Sequence, residues 1–251
     1  MIHLDGRIVL ITGAAGGIGS AIARGVVAGG GKALIHDVNS GAIALLAEEL
    51  GEDAHPLTAD LRDPVAVASL WSSALQVHGH IDVLVNNAGI YPPAPLDMEL
   101  DEWIGVWDLS LAVNLKAPAI LAREAVATYT NQASGGIIIN LASRAAFRGE
   151  DPDYWHYAAA KAGIVAMTRT IARHYGRQGV TAFAIAPGFV NTTLNRVFIE
   201  EVGVEVAAAQ TGLGEVAEPK DVANVILFLA TGLAKHATGT TIDINGASYV
   251  R

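Results

Sequence analysis

The chain of 251 residues is 51% hydrophobic and only 16% charged, which supplies ample apolar surface for a core and excludes a disordered chain. The absence of cysteine excludes a disulfide framework, a zinc–cysteine site and a thiol nucleophile. With 16 basic against 25 acidic side chains the net charge is −9, and no cluster of Lys or Arg stands ready for a phosphate backbone, so a nucleic-acid partner is not expected. No Pro/Ser/Gly-rich linker divides the chain, and residues 1–251 are read as a single domain.

The start, Met1 to Arg7, lacks the basic segment and apolar stretch of a secretory signal, and apolar runs such as Val225 to Ala230 are far shorter than the ~20 residues of a membrane helix. A cytoplasmic protein without a membrane partner is expected. Short apolar runs alternate with longer stretches rich in Ala, Leu and Glu, the rhythm of parallel strands joined by crossover helices. Strands are predicted near 7–12, 32–36, 55–59, 81–86, 136–141, 180–185 and 240–244, and helices near 17–29, 40–50, 64–78, 100–129, 153–176 and 219–231. Seven strands and six helices predict an α/β, doubly wound Rossmann fold: a seven-stranded parallel sheet with helices on both faces. Residues 188–217 break the rhythm with Gly188, Gly203, Gly212 and Gly214 around two expected short helices, and are read as a substrate-binding lid.

The first strand runs into Thr12-Gly13-Ala14-Ala15-Gly16-Gly17-Ile18-Gly19, and a helix follows. In that context glycines tighten a turn and let backbone approach a pyrophosphate at a helix start, so Gly13, Ala15, Gly17, Ile18 and Gly19 are candidate cofactor contacts. The second strand ends at Asp37, eighteen residues beyond Gly19, near the distance at which a carboxylate grips the adenosine ribose hydroxyls. Val38 and Asn39 follow, so no adjacent cation offsets the repulsion between Asp37 and a 2′-phosphate; NAD is the expected cofactor.

The spacing Thr-Gly-x-x-x-Gly-x-Gly, with Asn86-Asn87-Ala88-Gly89 after the fourth strand, resembles the short-chain dehydrogenase/reductase family over nearly the whole chain. The resemblance implies cofactor contacts from Asp60 and Leu61 at the adenine, from Asn87, Ala88 and Gly89, and from Pro187, Gly188, Val190 and Thr192 beside the nicotinamide. It also implies hydride-transfer chemistry and a homotetramer. Asn245-Gly246-Ala247 departs from the family's usual Asp-Gly-Gly, a change expected to touch subunit packing and not the cofactor.

Tyr157 and Lys161, at i and i+4 on a predicted helix, share one face with only alanines between them. A phenol is a poor base near neutrality, and a nearby ammonium favours its phenolate, so Lys161 can tune Tyr157 for proton transfer. Ser143, at the carboxyl end of the fifth strand, would hold the substrate oxygen. Asn114 completes a catalytic set of four; the resemblance implies that it positions a water and that Lys161 also binds the nicotinamide ribose. From Ser143 to Tyr157 is fourteen positions, one more than the family's usual interval, and the extra residue is placed between Phe147 and Pro152.

Tyr91, Arg144, Tyr154 and Phe189 are the substrate candidates, with Phe147, Trp155 and Phe198 as further wall residues. Arg144 could pair with a substrate carboxylate, although an Arg in such a loop is more often solvated or structurally paired. His156 is turned away from the Tyr157 face and is not assigned to catalysis, and Trp103 and Trp107 are assigned to packing. The expected activity is an NAD-dependent interconversion of a secondary alcohol and a ketone. A 3-oxoacyl-thioester reductase using NADPH and an inactive NAD-binding regulator are the alternatives; no metal is expected.

Overall fold

The computed structural model describes residues 2–132, 135–192 and 203–251. Among these, strands β1 (Ile8–Thr12), β2 (Lys32–Asp37), β3 (Ala54–Thr58), β4 (Val83–Asn86), β5 (Gly136–Leu141), β6 (Val180–Pro187) and β7 (Thr241–Ile244) form one sheet. Every pairing is parallel and the order is β3-β2-β1-β4-β5-β6-β7. Helices cover both faces, so the central strands are apolar without alternation: all five residues of β1 and all eight of β6 are buried.

The helices are α1 (Gly17–Ala28), α2 (Ser40–Leu50), α3 (Pro64–His78), α4 (Leu100–Leu111), α5 (Ala117–Asn131), α6 (Ala145–Arg148), α7 (Trp155–Tyr175), α8 (Val204–Ala209) and α9 (Pro219–Ala230). On one face Ile22, Val26, Ile43, Val222 and Ile226 carry α1, α2 and α9 onto the sheet. On the other, Leu70, Trp71, Leu121, Tyr129 and Ile171 carry α3, α5 and α7. Local chemistry fixes several starts: Asn39 accepts a hydrogen bond from Ala42 N–H and Asp63 from Val65 N–H, and Glu218 and Asp221 form a capping box around Pro219.

The region predicted as one helix over 100–129 differs in two ways. It extends to Asn131, and between α4 and α5 it passes through a π turn, Ala112–Lys116. Leu100–Asn131 is long and apolar enough to cross a membrane, contrary to the expectation from the apolar runs, but Leu121, Ala125 and Tyr129 are buried in the second core. The helix predicted over 153–176 starts at Trp155, because Pro152–Tyr154 forms a 3₁₀ turn first.

Of the region read as a lid, residues 193–202, with Phe198, lie outside the described residues. Its two ends meet at a parallel bridge between Val190 and Ala217, where Asn191 N–H donates to Ala217 C=O at 2.9 Å. One expected short helix is α8. Beyond β7, Ala247 has φ +60°, the one non-glycine among the described residues in the left-handed region; this is the position at which the sequence resemblance implies glycine.

Candidate active site

The chain leaves β1 toward β2 and β3, then returns on the other side of β1 as β4, so the carboxyl ends of β1 and β4 flank the crevice where α/β sheets bind ligands. Here the sequence motifs meet. Asn87 Nδ2 donates to Thr12 C=O at 2.9 Å and to Gly13 C=O at 3.1 Å, while Thr12 Oγ1 accepts from the N–H groups of Asn87 and Ala88. Gly13 has φ +65°, and a Cβ there would stand 2.8 Å from Ala88 Cα. A Cβ on Gly19 would stand 2.2 Å from Gly13 O, and one on Gly17 would stand 2.9 Å from Thr192 Cγ2. No side chain caps the start of α1, so its first N–H groups remain for an anion.

At the rim of this cradle, Asp37 is fixed before any ligand arrives. Its Oδ2 accepts from Ala15 N–H at 3.2 Å and its Oδ1 from Asn39 N–H at 3.0 Å. Val38 beside it is 64% exposed, an apolar edge for an adenine. Asp60 forms a two-oxygen ion pair with Arg62, which holds its carboxyl below the usual range, whereas the Leu61 side chain is buried in the core. Ile18 also packs against the core, and Pro187 and Val190 are buried where β6 ends. These residues fit a dinucleotide: an anion cradle made of backbone, and a carboxylate tied to it through Ala15 N–H.

On the other side of the crevice, β5 ends at Leu141 and delivers Ser143, whose Oγ accepts from Ala145 N–H at 3.1 Å. The third residue of α7 is Tyr157, near the positive end of the helix dipole, and one turn later Lys161 donates from Nζ to Leu141 C=O at 2.7 Å. Lys161 Nζ lies 5.6 Å from the Tyr157 ring centre. A buried polar chain sets the register of α7 on the sheet: Asn86 Nδ2 donates to Asn140 Oδ1 at 2.8 Å, and Asn140 Nδ2 to Thr168 Oγ1 at 2.9 Å. Burial pushes the Tyr157 phenol up to about 12, opposed by the Ser143 hydroxyl, and lowers Lys161, which is 4% exposed, to about 8. Both shifts favour the neutral forms.

Asn114 sits in the middle of the π turn, a distortion frequent at functional sites. Its Oδ1 accepts from Ile90 N–H at 2.9 Å and its Nδ2 donates to Ile90 C=O at 2.9 Å, so it ties the π turn to the chain leaving β4. A Cβ on Gly89 would stand 3.1 Å from Asn114 Oδ1 and 3.7 Å from Lys161 Nζ, so the three groups are neighbours. The four predicted catalytic residues and the cofactor segments are thus brought to one crevice.

Sequence reasoning missed two residues. His156, set aside as facing away, is fully buried, with Nε2 3.0 Å from Pro92 C=O and Nδ1 2.7 Å from Ser110 Oγ. Burial lowers its pKa, and the carbonyl requires the proton on Nε2, so Nδ1 accepts from the Ser110 hydroxyl. Ser110 in turn accepts from Asn114 Nδ2 at 3.0 Å. Only the i, i+4 spacing of Ser110 and Asn114 hints at this chain in the sequence.

Around Tyr157 the wall is aromatic. The Tyr91 and Tyr154 rings stack with centres 3.8 Å apart and planes at 2°, and Tyr91 meets Tyr157 edge-on at 4.7 Å. Arg144 is buried rather than solvated, with its guanidinium carbon 4.1 Å from the Phe189 ring centre. Trp103 and Trp107 lie 5.1 Å apart; Trp103 meets Trp155, which is half-exposed, and Trp107 meets His156.

Residues 13–247 match the family model described as enoyl-(acyl carrier protein) reductase. The chain is 34% identical over 252 residues to a 3-oxoacyl-(acyl-carrier-protein) reductase of Thermotoga maritima, covering 99% of this chain and 100% of that one. It is 35% identical over 243 residues to the cis-4-hydroxycyclohexanecarboxylate dehydrogenase of Sinomonas cyclohexanicum, covering 96% and 95%. Its structure matches that of a 3-ketoacyl-(acyl-carrier-protein) reductase from Brucella melitensis complexed with NADH, with a TM-score of 0.90, 27% identity, and coverage of 98% and 100%. The crevice between β1 and β4, the Ser143–Tyr157–Lys161 grouping and these full-length similarities agree: the chain belongs to the short-chain dehydrogenase/reductase family of nicotinamide-dependent oxidoreductases.

Proposed function

We propose that this enzyme interconverts a secondary alcohol and a ketone with NAD as cofactor, and that Tyr157 moves the proton. The observation that carries the reading is the half-buried Tyr157 phenol, with the Ser143 hydroxyl acting on it and Lys161 Nζ 5.6 Å from its ring centre, beside a cradle for a dinucleotide. When bound, the nicotinamide supplies or accepts the hydride. In reduction, Ser143 and Tyr157 hold the ketone oxygen and the neutral phenol donates its proton to it. In oxidation, Tyr157 must receive the alcohol proton as phenolate, which the charged form of Lys161 and the start of α7 favour. Asn114 and Gly89 would bound the nicotinamide end with Pro187, Gly188 and Thr192, and Tyr91, Tyr154, Phe189 and Arg144 are assigned to the substrate wall.

Preference for NAD rests on Asp37. We read its carboxylate as the ribose end of the cradle; Ala15 and Asn39 backbone hold it there, where it would repel a 2′-phosphate. The cation following Asp60 in sequence, Arg62, is engaged with it. NAD should bind at least about 10-fold more tightly than NADP, and Asp37→Ala should narrow the gap, as followed by titrating each reduced cofactor against protein fluorescence. Equal affinities in the wild type would overturn the assignment.

The similarity to the Thermotoga maritima enzyme favours a second reading, reduction of a 3-oxoacyl thioester. The net charge of −9 speaks against docking an acidic carrier, and faster turnover of a 3-oxoacyl thioester with NADPH than of any simple ketone with NADH would favour it. The complete catalytic set speaks against an inactive regulator. The half-exposed Trp155 beside Trp103 supports assembly through this helical face, and we assign the protein as a homotetramer. An enzyme exchanging nicotinamide with a soluble pool works where that pool is, and we assign it to the cytoplasm.

A further inference from the structure

Arg144 follows Ser143 directly, yet its side chain is only 4% exposed. A buried guanidinium normally has a carboxylate partner, because taking its charge out of water otherwise costs several kcal/mol. Arg144 has none among the described residues. Its Nη1 donates to Ser248 Oγ at 2.7 Å, its backbone N–H donates to Pro187 C=O at 3.1 Å, and its plane lies over the Phe189 ring. Two carboxylates act on Arg144 from beyond ion-pair distance: Glu150, which pairs with Arg148 at 3.1 Å, and Asp151.

A guanidinium carries five donor hydrogens in a planar fork, and one hydroxyl cannot satisfy them. Among the described residues the remaining Arg144 nitrogens make no hydrogen bond, and they lie beside Phe189. Arg144 leaves the carboxyl end of β5 together with Ser143. Ser143 is the adjoining residue, and the field of Arg144 reaches Tyr91, whose ring stands 4.7 Å from that of Tyr157. Stacking on Phe189 leaves the guanidinium edge free, and the edge is what binds a carboxylate through two parallel hydrogen bonds.

We propose that Arg144 is the counter-ion of the substrate, which is a hydroxy acid or oxo acid: an apolar body bearing the reacting oxygen at Ser143 and Tyr157 and a carboxylate at Arg144. The inference rests on the reading of Ser143 and Tyr157 as the reduction centre. The stacked Tyr91 and Tyr154 rings supply the apolar wall between those two polar ends. Burial and the like charge of Arg148 outweigh the opposing pull of Glu150 and Asp151 and weaken the hold of Arg144 on its proton, which a carboxylate bound at hydrogen-bond distance would restore.

The test compares 4-oxocyclohexanecarboxylate with its carboxamide and with cyclohexanone, using NADH and following its absorbance. Wild-type kcat/KM should be about 100-fold higher for the carboxylate than for the carboxamide, since a two-point charged contact is replaced by a neutral one. In Arg144→Gln that ratio should fall to within about 3-fold, and in Arg144→Lys it should be intermediate. Because the readout is a ratio within one protein, a general loss of activity cancels. If Arg144→Gln does not fold, cyclohexanecarboxylate should still inhibit the wild type at least about 10-fold better than cyclohexanecarboxamide.

Turnover of neutral ketones with no carboxylate preference in the wild type would overturn the subsite and leave the reduction centre intact. No turnover of any ketone or alcohol would overturn the reading beneath it. If the ratio is unchanged in Arg144→Gln while the subunits dissociate on a sizing column, the counter-ion is a carboxylate of a second copy, and the substrate assignment fails.

Discussion

The two sides of the crevice are built on opposite terms. On the β1–β3 side the groups that would meet a ligand are already satisfied by the chain itself: Asp37 by two N–H groups, Asn87 by two carbonyls, and Thr12 by two donors. Glycines there let backbone approach backbone. On the β5–β7 side the chain buries an ammonium and a guanidinium and half-buries a phenol, all groups whose charged forms the surroundings resist. A binding site can thus be made locally from short turns at little cost. The reactive site concentrates groups that destabilise the empty fold and become useful only with ligands present.

The comparison is tested most severely at Tyr157. Tyr157→Phe removes the proton that moves and retains the ring that packs against Tyr91, so turnover should fall about 10²- to 10⁴-fold while the NADH dissociation constant changes by less than about 2-fold. Stopped-flow single turnover and fluorescence titration measure the two. Equal damage to both would mean that the sides are not separable.

Lys161 tests the claim of stored instability. Its folded pKa, near 8, lies below the ordinary 10.5, so between these values the unfolded chain holds a proton that the folded chain has released. Stability therefore rises with pH through that window, and below about 8 the fold carries the full penalty of a buried ammonium, partly offset by the hydrogen bond to Leu141. Lys161→Met should lower kcat/KM about 100-fold yet stabilise the cofactor-free protein at pH 7, by an amount on the order of 2 kcal/mol. The gain should shrink toward pH 10, as read by urea unfolding at several pH values. A variant less stable than wild type at pH 7 would show that the ammonium is held favourably.

The same contrast explains what was legible in the sequence. Strands such as Ile137-Ile138-Ile139 stand out because a sheet covered on both faces demands continuous apolar residues. The cradle is legible because glycine marks where backbone must come close, and the meeting of Gly13 with Ala88 follows from that need. The reactive side is less legible because its partners are distant in sequence: Ser110 and His156 are 46 residues apart. No periodicity announces the π turn at Ala112–Lys116, where tertiary contacts at Asn114 override regular helix, and residue type alone could not reveal that Arg144 is buried.

The smallest effect expected is at Ser110, which belongs to the reactive side but resembles the other in being fully satisfied. Its hydroxyl donates to His156 Nδ1 and accepts from Asn114 Nδ2, so each proton in the chain has one place. Ser110→Ala leaves a buried acceptor on His156 and one unmatched Asn114 donor, a loss of about 1 to 3 kcal/mol. Asn114 retains both bonds to Ile90, so it should shift rather than detach. Urea unfolding should register the lost stability, kcat should fall by about 3- to 10-fold, and NADH affinity should hold within about 2-fold. An unchanged kcat in a destabilised variant would place Ser110 and His156 in the scaffold alone, and would confine the reactive side to Asn114, Ser143, Tyr157 and Lys161.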